Sequence, residues 1–146
     1  MRAPEQAPDT GSDAGSETGP DLAPEQDPDA GELDRLVGDW LDWSQASELL
    51  QVSVSKVRQL IREHQLAAVV PRPRAGQQVP AALVQDGLVV KGVPGVLTVL
   101  HDGGYDDHEI LTWLFTADDS LPGRPIDALR ENRGSEVKRR AQAMAF

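Results

Sequence analysis

The stretch from Ser44 to Pro80 constrains the fold of this chain more than any other. It reads Ser-Gln-Ala-Ser-Glu-Leu-Leu, then Gln-Val-Ser, then Val-Ser-Lys-Val-Arg-Gln-Leu-Ile-Arg-Glu-His, and finally two short apolar runs on either side of Pro-Arg-Pro-Arg-Ala-Gly. Ala46, Leu49 and Leu50 fall at i, i+3 and i+4, with Ser44 in the N-cap position, so the first segment predicts a short amphipathic helix. In the second segment Ser53 is the expected N-cap. Val54, Val57, Leu60 and Ile61 then share one face, and Ser55, Gln59 and Arg62 lie opposite, flanked by Lys56 and Arg58. Two short helices that bury facing stripes across a three-residue turn form a helix-turn-helix, whose second helix can enter the DNA major groove. On this reading Ser55, Lys56 and Gln59 reach base edges. Arg58 and Arg62 are better placed for phosphates, although an arginine can also read guanine bidentately.

Ala67 to Val70 and Gln77 to Val79 read as a two-stranded hairpin whose tip carries Arg72 and Arg74 between prolines, a basic wing beside the second helix. An amphipathic helix pair with a charged outer face is common on its own. Helix, turn, helix and basic hairpin in this order are what favour DNA binding.

The formal net charge of −10 argues against a nucleic-acid partner only until its distribution is read. Residues 1 to 34 hold ten acidic residues against Arg2 alone, a charge of −9, whereas residues 44 to 80 carry +3. From Met1 to about Gly31 the chain is Pro, Gly, Ala, Ser and acidic residues, with Leu22 its single large apolar side chain after the initiator. Such a segment cannot bury enough surface to offset its ordering entropy, and it is expected to be disordered. Thr10, Ser12, Ser16 and Thr18 stand in it among carboxylates, where a Ser/Thr protein kinase could reach them; a solubilising arm is the simpler account. Thr10 and Thr18 are the candidate phosphorylation sites.

Leu36, Val37, Trp40, Leu41 and Trp43 supply apolar bulk, which places the start of the folded part near residue 32. The expected division is a tail over 1–31, a winged helix-turn-helix over 32–87 and a C-terminal helical domain over 88–146. Trp40 and Trp43 read as packing residues rather than a base-stacking platform. Beyond the wing, Pro80 to Val84 predicts a helical turn ending at Asp86-Gly87, and Leu88 to Val90 an extended segment. Pro94 opens a helix carrying Val96, Leu97, Val99 and Leu100, which Gly103-Gly104 ends. Asp106 and Glu109 form the pattern of a capping box ahead of Ile110, Leu111 and Leu114. After a polar loop over 116–124, Pro125 begins a short helix with Ile126 and Leu129 inward. A last helix from Gly134 places Val137, Ala141 and Met144 on one side, with Lys138, Arg139 and Arg140 mainly on the others, either as a second basic patch or as a solvated face.

With no cysteine, disulfides and thiolate metal sites are excluded, and the fold must hold by packing alone. No apolar run approaches the roughly 20 residues that span a bilayer, and the N-terminus lacks the apolar stretch of a signal peptide, so a soluble cytoplasmic protein without a membrane partner is expected. His64, His101 and His108 are scattered along the sequence, and no metal site or cofactor is expected. The run from His101 to Glu109, where acids and imidazoles crowd together, is explained by a helix C-cap followed by an N-cap. No nucleophile elbow, dinucleotide loop or phosphate-binding Gly-Lys-Ser/Thr is present, so the chain reads as a non-enzyme with no small-molecule substrate.

The helix pair and hairpin, Trp43 to Leu83, resemble the small winged helix-turn-helix domains of the MerR and excisionase type. More closely, about residues 40 to 146 resemble an actinobacterial family of small winged helix-turn-helix DNA-binding proteins with a characteristic C-terminal domain. The matching segments are Val-Ser-Lys-Val-Arg-Gln-Leu-Ile-Arg-Glu at 54 to 63, Val-Val-Lys-Gly-Val-Pro-Gly-Val-Leu-Thr-Val-Leu-His-Asp-Gly-Gly-Tyr at 89 to 105, Trp-Leu-Phe-Thr at 113 to 116 and Arg-Arg-Ala-Gln-Ala-Met-Ala at 139 to 145. The resemblance implies a mainly α fold that binds double-stranded DNA through the winged helix, in transcription regulation or nucleoid organisation, with regulation through a flexible N-terminus. Gln51 departs from the pattern, which usually has glycine at that turn. The alternative is a protein-interaction module, because Trp113 to Thr116 and Leu121 to Leu129 also loosely resemble the partner-binding half of antitoxin-like proteins.

Overall fold

The computed structural model describes residues 28–119, 121 and 123–146. Most of the acidic segment, with Thr10 and Thr18, lies outside them. The chain divides between Glu32 and Leu33 into two units, and the packing below is that of Leu33–Phe146. The described residues are mainly helical, as expected. They run α1 (Pro28–Val37), β1 (Trp40–Leu41), α2 (Trp43–Leu50), α3 (Val54–Arg62), β2 (Val79–Pro80), a 3-10 turn (Ala81–Leu83), β3 (Val84–Gln85), β4 (Leu88–Val89), α4 (Val93–Asp102), α5 (Asp107–Leu114), α6 (Pro125–Arg130) and α7 (Gly134–Ala145).

Helix α2 begins earlier than its serine suggests. Asp42, not Ser44, is the N-cap: its Oδ1 accepts the Gln45 N–H at 2.7 Å, while Gln45 Oε1 accepts the Asp42 N–H at 2.9 Å. This reciprocal capping box satisfies two backbone donors at once, which a lone serine inside the first turn cannot do. The helix stops at Gln51, whose φ of 57° is left-handed. The Val52 N–H donates to Ser47 O and the Gln51 N–H to Glu48 O, and the Ser47 hydroxyl closes the turn onto Val52 O. This is a Schellman cap with glutamine where glycine is usual. Ser53 then caps α3 as expected, accepting the Lys56 N–H at 3.0 Å.

The hairpin after α3 is shorter than its sequence suggests. Val69 and Gln78 exchange both backbone hydrogen bonds, at 3.1 and 2.8 Å, and form a single bridge. Pro71 and Pro73 carry no N–H, so the ladder cannot extend toward the tip. The returning strand continues instead into β2, which pairs antiparallel with β1 in the register Trp40↔Pro80 and Leu41↔Val79. The second hairpin, β3–β4, turns through Asp86 (φ 55°) and Gly87 (φ 78°), two left-handed residues whose twist suits a two-residue connection.

Two apolar clusters hold these elements. Leu41, Ala46, Val57 and Val84 form the smaller one, where α2 and α3 meet. The larger one is centred on α4, whose Val93, Val96, Leu97 and Leu100 are all buried, and it gathers Ile110, Leu111 and Leu114 of α5, Ile126 and Leu129 of α6, and Val137 and Ala141 of α7. It also takes in Leu66, Ala67, Ala68 and Val79 at the base of the wing. Leu49 and Val54, expected on the inward stripes, are 50% and 41% exposed. Helices α2 and α3 have eight and nine residues, too few for a stripe of several turns to face one core, and Ala46 and Val57 take the contact.

Polar contacts add to this packing, and Arg130 joins the two halves. Arg130 donates to Ala82 O at 2.7 Å and Val84 O at 3.1 Å, and the Tyr105 hydroxyl donates to Met144 O at 3.2 Å. Arg124 grips Asp127 with two bonds of 2.9 Å, and these hydrogen bonds hold the Asp127 carboxyl below its ordinary range. Gly92, at φ 93°, lets α4 start against α6: a Cβ there would lie 2.8 Å from Leu129 Cδ2.

The left-handed Gln51 generates a stability prediction. Replacing it with glycine removes the steric penalty of a Cβ in that conformation, and Gln51→Gly should raise the unfolding free energy by roughly 1 kcal/mol, read from urea midpoints at unchanged slope.

Candidate nucleic-acid interface

Helix α3 presents its polar side as one continuous surface. Ser55, Lys56, Arg58 and Arg62 are exposed, and Gln59 is half-buried. Val57, fully buried, pins the opposite side into the α2–α3 contact, so these residues are held outward by packing. The N-terminal turn, with Ser55 and Lys56, is fixed by the Ser53 cap. Gln59 is committed in part, because its Nε2 donates to Glu63 Oε2 at 3.0 Å.

The arginines differ in their surroundings. The Arg58 guanidinium sits 5.5 Å from the centre of the Trp43 ring, a cation–π contact that orients its plane. Trp43 is therefore a packing residue, as expected, and also a platform for a cation of the reading helix. Among the described residues Lys56, Arg62 and Arg74 make no ion pair. Arg74 holds a left-handed conformation (φ 68°) in the tight turn closed by the Ala75 N–H on Arg72 O at 3.1 Å. Arg72 is engaged: its guanidinium donates to Asp34 Oδ1 at 2.9 Å. Nothing in the sequence marked Asp34 among its many acidic neighbours as the partner of a residue 38 positions away.

Two sequence readings change in three dimensions. The histidines are not all scattered: ligand atoms of His64, His101 and Asp107 lie within 4.8 Å of one another. Asp106 does form the expected capping box with Glu109, but the adjacent Asp107 turns its carboxylate toward His101. In the segment compared with antitoxin-like proteins, Leu114, Phe115, Leu121, Ile126, Ala128 and Leu129 are buried in the core. They do not offer an apolar docking face.

Helix α2, a left-handed turn, helix α3 and a bridged basic hairpin make this a winged helix-turn-helix protein. Residues 33–84 match the family model described as "DNA-binding protein Rv2175c, wHTH domain", and residues 90–145 match that of the "Rv2175c C-terminal domain of unknown function". The chain belongs to the Rv2175c family. It is 48% identical to the DNA-binding protein Rv2175c of Mycobacterium tuberculosis over 72% of this chain and 80% of that protein. The NMR structure of Rv2175c superimposes with a TM-score of 0.67 at 46% identity, covering 74% of this chain and 82% of that one. The resemblance to an actinobacterial winged helix-turn-helix family with its own C-terminal domain is thereby borne out. Among the described residues no helix is long and apolar enough to cross a membrane.

Ion pairing at the wing generates a second prediction. The Arg72–Asp34 pair is solvent-exposed, with side chains 48% and 26% accessible, so Asp34→Asn should change stability by less than about 1 kcal/mol in chemical denaturation.

Proposed function

We propose that this chain binds double-stranded DNA through α3 and the wing, as a regulator of transcription or an organiser of the nucleoid, and that it performs no catalysis. The observation that carries the reading is the outer face of α3, where Lys56, Arg58 and Arg62 stand exposed without a carboxylate partner among the described residues. Ser55, Lys56 and Gln59 lie toward the end of the helix that enters a major groove. Arg58, Arg62, Arg72 and Arg74 serve as phosphate contacts around it. The proposed division of labour gives residues 32–87 the contact with DNA and residues 88–146 the support of the wing and the reading helix. The DNA-binding name of the M. tuberculosis relative supports the same reading.

Reversing Arg58 and Arg62 to Glu should abolish duplex binding at physiological salt while leaving the circular dichroism spectrum unchanged, because both side chains are exposed. Unchanged affinity in a fluorescence-anisotropy titration would place the DNA site elsewhere.

The acidic N-terminal segment acts in this reading as a competitor for the wing. Asp34 occupies Arg72, so a phosphate must displace it. Asp34→Asn should therefore tighten duplex binding at low salt and steepen the dependence of log K on log salt by up to about one unit. Weaker binding would mean that Asp34 positions the wing for DNA instead of competing with it.

Phosphorylation of Thr10 or Thr18 by a Ser/Thr protein kinase would add about −1.5 to −2 charges each and extend this competition. Phosphorylated protein should bind duplex DNA more weakly than unmodified protein, and Arg72→Ala with Arg74→Ala should remove the difference. Equal affinities of the two forms at low salt would leave the segment a solubilising arm.

A further inference from the structure

Where α3 ends, three side chains from distant parts of the chain converge. His64 follows α3, His101 lies in the last turn of α4, and Asp107 is the first residue of α5. His101 Nε2 is 2.6 Å from Asp107 Oδ1, and the rings of His64 and His101 stack at 3.7 Å between centroids, 23° from parallel. The second oxygen of Asp107 accepts the Ala68 N–H at 3.2 Å, which orients the carboxylate. His64 contributes a ring nitrogen to the group, and its Nδ1 is buried with no hydrogen-bond partner among the described residues.

We propose that His64, His101 and Asp107 form a binding site for a divalent transition cation of the zinc class, which clamps the end of the reading helix to the C-terminal helices. Two imidazoles and a carboxylate are a donor set that suits zinc, with water completing the coordination. Four-coordinate zinc with bonds of about 2.0–2.1 Å separates its ligand atoms by about 3.3 Å. The three donors lie within 4.8 Å of one another, so binding requires the stacked rings to tilt and the side chains to close onto the ion. The cation takes the place of the proton shared by His101 and Asp107, opening that contact from 2.6 Å. The hydrogen bond from Ala68 to the outer carboxylate oxygen then serves as the orienting contact that ligating carboxylates usually receive.

The backbone at His64 sets where its ring lies. The Gln65 N–H donates to Leu60 O and the His64 N–H to Ile61 O, with His64 itself at φ 60°. This is a Schellman cap, whose left-handed residue is most often glycine because a Cβ is penalised there. A histidine at this position carries a conformational cost and places an imidazole against His101.

The experiment is a titration of the full chain with Zn2+, followed by thermal unfolding, with Co2+ as a spectroscopic probe of coordination. Zn2+ at tenfold its dissociation constant should raise Tm by about 5 °C, and Co2+ should develop the visible absorption of a four-coordinate site, which Zn2+ then displaces. His64→Gly places the preferred residue in the left-handed cap, so this variant folds while lacking a ligand. It should lose both the Tm shift and the Co2+ spectrum, and His101→Gln should do the same. Absence of both signals in the unmodified chain at micromolar metal overturns the site and leaves a stacked histidine pair beside a carboxylate. Retention of the Zn2+ response in either variant equally overturns it, because the ion would then be held elsewhere.

Discussion

Burial of helix α4 is the interaction on which the rest of this structure depends. Its four buried side chains, Val93, Val96, Leu97 and Leu100, occupy the centre of a cluster that receives α5, α6 and α7 from one part of the chain and the base of the wing from the other. Each such side chain contributes about 1.5–3 kcal/mol by leaving water, and a chain without cysteine has no covalent alternative. Among the described residues the fully buried set contains no polar or charged residue, and the polar atoms that burial leaves unpartnered, Trp40 Nε1, Trp43 Nε1 and His64 Nδ1, lie on half-buried side chains. Leu66, Ala67 and Ala68 lie in the same cluster as α4, which means that the hairpin between α3 and β2 is rooted in the C-terminal half. The winged helix-turn-helix is therefore not self-sufficient in packing: its smaller cluster of Leu41, Ala46, Val57 and Val84 holds α2 to α3, and the larger cluster anchors the wing.

Charge is sorted along the same lines. The acidic residues crowd the N-terminal segment, while the cations of α3 face solvent with an aromatic ring under Arg58 and no carboxylate neighbour for Lys56 or Arg62 among the described residues. Elsewhere three arginines are occupied by named partners: Arg124 by Asp127, Arg133 by Glu131 and Glu136, Arg130 by two backbone carbonyls. Arg124 and Arg133 brace local structure, and Arg130 ties α6 to the chain near Ala82 and Val84. Arg72 stands between the two groups, on the wing but paired with Asp34. Its pairing is exposed and hence weak, which suits a contact that another anion exchanges.

Three helices, α2, α3 and α6, end on a left-handed residue that is not glycine: Gln51, His64 and Asn132. Asparagine and histidine are found in that conformation more often than other residues with a Cβ, whereas glutamine is strained in it by roughly 1 kcal/mol or more. In α2 and α3 the strain persists because both ends of each helix are fixed, by side-chain caps at the start and by burial of Ala46 or Val57 in the middle. The short turn between α2 and α3 is thus set by the packing of the two helices and not by the residue at the turn.

The sequence by itself determined the order of elements, because their signals are local. The Ser53 cap, the Asp106–Glu109 box, the prolines opening α4 and α6 and the apolar spacing in α4, α5 and α7 each act within a turn or two of the chain, so residue identity suffices to read them. The outward set on α3 was legible for the same reason. Tertiary structure alone decided what depends on contacts between distant residues. It paired the return of the wing with β1, left Leu49 and Val54 exposed, set Asp34 against Arg72 and brought His64 to His101 and Asp107. Each of these outcomes depends on how the two clusters draw separate segments together, and the spacing of residues along a chain carries no record of that closure.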